Sequence, residues 1–435
     1  MLRKPTKAIL KVSRWAIALS LLALLTTLTL FNSLDSIANS SKGAAQGFDS
    51  SALFDQVWQT INDNFYDPKF NGVNWQALRK QYQPQVQQTR DREQAAAVIN
   101  TMLAELNTSH TRLYISEEPA YYQILGIFWP ISPDIQAQLK SFFPNGKISY
   151  RGIGIFTQVI DRQTFVSGVL DGSPAERAGL KVGDRILSVG DRPFHPIQSF
   201  AKGSTVEMVI QRTADSDRQQ TLTVAPTELD ALSMFLNAQK ASVEVIQTQN
   251  RKLGYMHVWS YAGEQYQQLL EEELLYGRLK DVDAFILDLR GGWGGAPLTV
   301  LNFFTGRGPS VTSILPRRGI RNTTQSHWNK PVVMLVNEGS RSAKEILAYA
   351  FKQYKIGPVV GAKTAGAVVA GRAFPMSDGS ALYVAVTDVL VDETLRLEGQ
   401  GVMPDIEVPT KLPYAAGGDP QKEQAIETAL QLLQK

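Results

Sequence analysis

The sequence predicts a mixed α/β chain with three parts: a helical unit, a β-rich domain inserted after it, and a layered α/β core. Three observations carry this. Between residues 48 and 125 apolar residues recur at helical spacing. From Gly152 to about Thr227 short β-type runs alternate with turn residues. From about Leu229 onward helical patterns alternate with wholly apolar strands, Ala284 to Leu289 and Val332 to Val336, each running into a glycine-containing turn. Strands apolar on both faces belong in a sheet that helices cover on both sides.

The bulk numbers agree. At roughly 150 residues per domain, 435 residues make two or three units. A hydrophobic fraction of 43% with 20% charged residues is that of a folded globular protein. A net charge of +3 with both signs interspersed leaves no nucleic-acid footprint. The absence of cysteine excludes disulfides, thiolate metal sites and a cysteine nucleophile. His195, His257 and His327 are scattered with no ligand spacing, so neither metal nor cofactor is expected.

Arg3, Lys4, Lys7, Lys11 and Arg14 precede an uncharged apolar run from Trp15 to Phe31. This is an export leader, with small residues at Ala38, Asn39 and Ser40 for cleavage; the run is also near the length of a retained membrane anchor. The expected location is the periplasm, the thylakoid lumen or the extracellular side. The expected division is 1–45 leader and linker, 46–150 helical unit, 151–228 inserted domain and 229–435 core.

In the helical unit, Leu53, Phe54, Val57, Trp58 and Ile61 share one face of a helix that closes at Asp67-Pro68. A second helix is expected from about Asp91 to Leu106, with Ala97, Val98, Met102 and Leu103 inward. Residues 126 to 148 follow no clear period. In the inserted domain Ser173 caps a short helix from Pro174 to Ala178, Gly179 ends it, and Gly183-Asp184 turns into a strand from Arg185 to Val189. With Gly152-Ile153-Gly154-Ile155, this stretch resembles a PDZ domain. The resemblance implies that those four residues receive the carboxylate of an extended peptide; a domain that only packs on the core is the other reading.

The strand Val332 to Val336 runs through Asn337-Glu338-Gly339-Ser340-Arg341 into Ser342-Ala343-Lys344-Glu345 and an amphipathic helix carrying Ile346, Leu347 and Phe351. A strand, a tight turn and a helix N-terminus can present a nucleophile; Ser342-x-x-Glu345 is equally a capping box. Asn337 to Glu345 is similar to the nucleophile motif of carboxyl-terminal processing peptidases, and Asp288-Leu289-Arg290-Gly291-Gly292-Trp293-Gly294-Gly295 to that family's turn after a core strand. The resemblance implies a crotonase-like layered core, Ser342 as nucleophile, and the amides of Gly295 and Ala343 as oxyanion donors.

The general base departs from the commoner pattern. Where the Ser-Lys branch has its lysine, this chain reads Thr364-Ala365-Gly366-Ala367-Val368, and alanine accepts no proton. Lys344 is expected to point away from Ser342, and Lys363 lies off the motif position. Asn107-Thr108-Ser109-His110-Thr111 resembles instead the Ser-His element of the tricorn branch, and Glu398 ahead of Gly401-Val402-Met403-Pro404-Asp405 its glutamate. That implies a Ser342–His110–Ser109–Glu398 tetrad acting on polypeptide substrates, near their C-termini or within unfolded segments. A catalytically inactive peptide-binding protein on the same scaffold is the alternative that Ala367 leaves open.

Overall fold

Side-chain caps set the first helices. Asp49 accepts the amides of Ser51 and Ala52 ahead of α1 (Ser50–Asn64), Asn74 that of Ala77 ahead of α2 (Trp75–Gln87), and Asp91 that of Gln94 ahead of α3 (Arg92–Ala104). The structure is a computed structural model describing residues 48–295, 299–306, 310–315, 320–325, 327–409 and 411–434; the leader expected at 1–45 lies outside them. Leu53, Phe54, Val57, Trp58 and Ile61 bury as their spacing requires. In α3 the inward set is Ala95, Ala96, Ile99, Met102 and Leu103, whereas Ala97 is exposed and Val98 half-buried. The expectation for Ala97 fails because the stripe of α3 runs 95, 99, 102, 103, which turns residue 97 to solvent.

A short strand β1 (Arg112–Tyr114) leads into α4 (Pro119–Phe128), a 3₁₀ turn (Trp129–Ile131) and α5 (Pro133–Gln138). The stretch without a clear period is thus mostly helical, too broken by Pro130 and Pro133 to show a repeat.

The inserted domain opens at β2 (Ser149–Gly152), continues through β3 (Ile155–Ile160), β4 (Gln163–Val169), α6 (Pro174–Arg177), β5 (Arg185–Val189), β6 (Val206–Gln211) and β7 (Gln219–Val224), and closes at β8 (Thr227–Asp230). Strands β3 to β7 form an antiparallel sheet in sequence order, while β2 and β8 pair with each other, so both ends of the insert leave side by side. Its own core contains Ile153, Val166, Ala175, Leu180, Ile186, Met208 and Ile210.

The core follows with α7 (Met234–Ser242), β9 (Glu244–Thr248), β10 (Arg251–His257), α8 (Glu264–Leu275), β11 (Ala284–Asp288), α9 (Val300–Phe304), the hairpin β12 (Ser310–Leu315) and β13 (Ile320–Gln325), β14 (Val332–Val336), α10 (Ala343–Gln353), β15 (Val359–Gly361), β16 (Ala370–Pro375), β17 (Ala381–Thr387), β18 (Ile406–Glu407) and α11 (Pro420–Leu432). Six strands order as β18-β15-β14-β11-β10-β9, parallel except at the β9 edge. Phe285, Leu287, Val332 and Met334 face one hydrophobic cluster with Leu347 and Phe351 of α10; Ala284, Ile286, Val333 and Leu335 face another with Ala425 and Ala429 of α11. This is the layered arrangement that strands apolar on both faces require. The helical unit is not separate from the core: β1 joins β17 with Arg112 opposite Tyr383, and α1 to α3 pack on Val369, Leu382 and Val384. That pairing carries residue 110 across the chain to residues 368 to 398.

Candidate active site

The turn after β14 is held on all sides. Asn337 Oδ1 accepts the amides of Gly291 (3.0 Å) and Gly339 (2.9 Å), and Ser340 Oγ donates to the Leu289 carbonyl (2.9 Å). The turn after β11 is wedged against it. A Cβ on Gly294 would stand 2.4 Å from Ser342 Cβ, and one on Gly339 2.8 Å from the Gly291 Cα, so neither position admits a side chain. Gly295 has φ +82, and a Cβ there would meet Ala262 Cα at 2.6 Å.

Ser342 ends the turn with φ 61 and ψ −136, a conformation that costs a non-glycine residue of order 1–3 kcal/mol and persists only where the surroundings impose it. They do so here through its amide, which donates to the Ala367 carbonyl (2.8 Å) and to Glu345 Oε2 (3.2 Å). Ala343, the oxyanion donor expected beside Gly295, is the first residue of α10, where helix amides and the dipole favour developing negative charge. The two expected donors therefore lie in the two turns that Gly294 and Ser342 bring into contact.

Glu345 does more than complete a capping box. Its buried carboxylate also accepts Thr364 Oγ1 (2.5 Å) and the amides of Gly366 and Ala367 (2.7 Å each). Burial pushes its carboxyl up, against these hydrogen bonds. The segment where a lysine was looked for is thus a backbone clamp on Ser342, with Ala367 buried at its centre and Lys363 exposed.

Lys344 turns inward. It is fully buried, and Nζ donates to the carbonyls of Gly291 (3.0 Å) and Trp259 (3.3 Å). Burial lowers it from its ordinary value to about 7, with the Asp288 charge acting in the opposite sense. It ties the helix start to the Gly291–Gly295 turn from below. Nothing in its sequence position signalled this clamp.

The second group forms at the other end of the Thr364–Val369 segment. Glu398 Oε2 accepts Ser109 Oγ (2.9 Å) and the amides of Val368 (2.6 Å) and Val369 (3.1 Å), while Oε1 accepts the Ser109 amide (2.7 Å). Ser109 Oγ stands 2.8 Å from His110 Nδ1. Donor counting assigns the protons: the single Ser109 hydroxyl hydrogen goes to the carboxylate, so Nδ1 must donate to Ser109 and Nε2 is left as the acceptor. His110 has φ 56, is buried, and packs on the Tyr383 ring at 5.2 Å between centroids. Burial, and then the Arg341 charge, lower its pKa to about 3. Arg341 itself lies over the Trp293 ring at 5.5 Å.

Of the residues expected to cooperate, Ser109, His110 and Glu398 are in one hydrogen-bonded chain, and Ser342, Ala343, Gly294 and Gly295 in one pair of turns. The two groups share the segment 366–369: Ala367 binds Ser342, Val368 and Val369 bind Glu398. Among the described residues no hydrogen bond joins His110 to Ser342. Tyr383, Arg341 and Thr364 carried no sequence signal; Glu345 carried one, the capping spacing.

Gly152, Ile153, Gly154 and Ile155 line a separate cavity of about 310 Å³ with Phe194, Pro196 and Phe200.

Comparison with known proteins gives three family matches: peptidase family S41 at residues 252–408, tricorn protease C1 domain at 51–104 and PDZ domain at 165–212. A carboxyl-terminal-processing protease of Synechocystis sp. is 25% identical over 90% of this chain and 86% of its own length. A putative tricorn protease homolog of Streptomyces coelicolor is 26% identical over 88% of this chain and 32% of its own. Among solved structures, the tricorn protease superposes with a TM-score of 0.51 at 17% identity over 89% of this chain and 37% of that one, a likeness of fold.

Proposed function

We propose that this chain, a serine peptidase similar to carboxyl-terminal processing proteases with matches to peptidase family S41, the tricorn protease C1 domain and a PDZ domain, cleaves peptide bonds through a Ser342–His110–Ser109–Glu398 tetrad. The observation that carries the proposal is the hydrogen-bonded chain from Glu398 through Ser109 to His110 Nδ1. It leaves Nε2 as a base, as the third member of a triad does for its histidine. Ser342 Oγ attacks the scissile carbonyl, His110 takes its proton and returns it to the leaving amine, and the amides of Gly295 and Ala343 hold the oxyanion. Burial keeps His110 unprotonated and so able to accept the proton, at a cost in basicity that the Ser109–Glu398 chain and the oxyanion charge offset once the imidazolium forms.

The substrates of this reading are polypeptides cut near their C-termini or within unfolded segments, with the Gly152–Ile155 loop receiving a chain end. The basic-apolar leader supports action after export. No helix among the described residues is long and apolar enough to cross a membrane.

The test is cleavage of an unstructured reporter protein by the leaderless chain and three variants. Ser342→Ala and His110→Ala should each lose on the order of 10⁴-fold or more in turnover, and Lys363→Ala should keep its rate. Loss in Lys363→Ala with retention in His110→Ala would transfer the base to a displaced lysine. A parent chain that cleaves no reporter at any pH would favour the peptide-binding alternative that Ala367 raises.

A further inference from the structure

The cavity beside the Gly152–Ile155 loop is not closed by the inserted domain alone. That loop lines it with Phe156 and Thr157, and so do Phe194, Pro196 and Phe200. The helical unit contributes Arg112 and, at the start of α4, Glu118 and Pro119 to the lining.

The loop has donors to spare. Gly152, Ile153 and Gly154 are buried, and among the described residues the amides of Ile153 and Gly154 donate to no group. Amides that line a cavity without a protein acceptor are placed to donate to an acceptor on a bound ligand. Gly154 has φ +80, and a Cβ would meet Ser173 at 2.6 Å, which fixes this backbone to glycine.

In the same lining Arg112 Nη2 pairs with Glu118 Oε2 at 2.8 Å and its guanidinium lies 4.5 Å from the Tyr114 ring centroid. Glu118 is in turn fixed by the Ile115 amide (3.2 Å). The guanidinium is thereby held at the cavity with part of its donor fork unspent, since a single carboxylate oxygen and a ring face occupy only some of five N–H groups. Arg151, nearer in sequence to the loop, is committed to the carbonyls of Phe200 and Gly203 and braces the apolar wall instead.

We propose that the chain-end site is composite: Arg112, from outside the inserted domain, supplies the cation for the terminal carboxylate of a bound polypeptide, whose last side chain is apolar and packs on Phe194 and Phe200. This rests on the reading of the loop as a peptide-end site and adds to it a specificity residue two positions from His110. A carboxylate shared between two backbone amides and a guanidinium is bound by charge-assisted hydrogen bonds, which a carboxamide cannot reproduce.

The experiment compares two labelled peptides ending in the same apolar residue, one a free acid and one an amide, by fluorescence anisotropy on the leaderless chain with Ser342→Ala to prevent turnover. The acid should bind at least about tenfold tighter than the amide. Arg112→Gln should weaken the acid by about 5- to 50-fold and leave the amide unchanged, and Arg112→Lys should restore part of the difference. Glu118→Gln breaks the same ion pair but keeps the cation, so it should retain the acid preference. Equal weakening of acid and amide in Arg112→Gln, or the same loss in Glu118→Gln, would make Arg112 a structural residue only. A preserved acid preference in Arg112→Gln overturns the composite site and leaves the loop reading standing. No preference in the parent chain overturns both.

Discussion

The turn carrying Ser342 draws its partners from residues 259–367: the carbonyls of Trp259 and Gly291 on Lys344, the Ala367 carbonyl on the Ser342 amide, the Asn337 amide oxygen on Gly291. The loop carrying His110 is fixed by Glu398 and Tyr383, more than 270 positions away, through the β1–β17 pairing. Both regions hold a buried carboxylate that serves several donors, Glu345 in the first and Glu398 in the second; only the first adds to it a wedge of backbone with glycines at the contacts. A wedge of backbone tolerates loss of a side-chain tie because van der Waals contacts remain. A single-carboxylate hub does not, since every donor it serves loses its acceptor together.

The sharpest way to break this contrast is Glu398→Gln. Glutamine keeps the size but offers an NH₂ where Val368, Val369 or Ser109 needs an acceptor. The expected result is a loss of turnover on the order of 10³- to 10⁴-fold with KM little changed, as when a triad acid loses its charge in place. Ser109→Ala removes only the relay and should cost less, about 10- to 100-fold. A folded Glu398→Gln within tenfold of the parent rate would mean that the His110 loop is not held by this hub.

Lys344→Met tests the other region and should cost less. It removes the donor from the Gly291 and Trp259 carbonyls, loosening the turn that carries Gly295, for which a turnover loss of about 10²-fold is expected. Stability should shift by only about 1–2 kcal/mol, because relief from burying an ammonium offsets two carbonyls left without a partner. The pH dependence has a definite sign. Lys344 is lowered from near 10.5 to about 7, so between those values the unfolded chain holds a proton that the folded one has released. Its contribution to stability therefore rises with pH across that window. Thermal melts between pH 7 and 10 should show the slope in the parent and a weaker one in Lys344→Met. Equal slopes would remove Lys344 from the linkage.

This contrast also explains what was legible in the sequence. The Ser342 turn is written in contiguous residues, a strand, a glycine turn and a helix start, so its local structure was legible in spacing, while Ser342 as nucleophile was implied by the family resemblance. Ser109, His110 and Glu398 were implied by the resemblance of their surrounding residues to the tricorn branch, yet nothing there indicated that Val368 and Val369 bind the same carboxylate, since backbone donors leave no trace in residue identity. Lys344 misled for the same reason. Its helical spacing gave no sign of burial, because the acceptors that hold it inside are carbonyls. The helical break at 126–148 was hidden by prolines, and Ala97 by a stripe shifted by about one residue.

Arg341→Gln gives the smallest effect and separates two causes within one site. His110 is lowered to about 3 first by burial and second by the Arg341 charge. Removing that charge should raise the pKa of His110, yet leave it below the 6.5 of an unperturbed imidazole, because burial remains. If His110 is the base, it must be neutral to act, so the acid limb of kcat/KM in the parent lies well below 6.5 and moves up in Arg341→Gln, with the rate near neutral pH altered by less than about tenfold. The linkage runs the same way: between 6.5 and about 3 the unfolded chain takes up a proton that folded His110 refuses, so this group's share of stability is lost as pH falls through that window. An acid limb that stays put while the melts of Arg341→Gln change would place the Arg341 charge in packing over Trp293 rather than in setting the base.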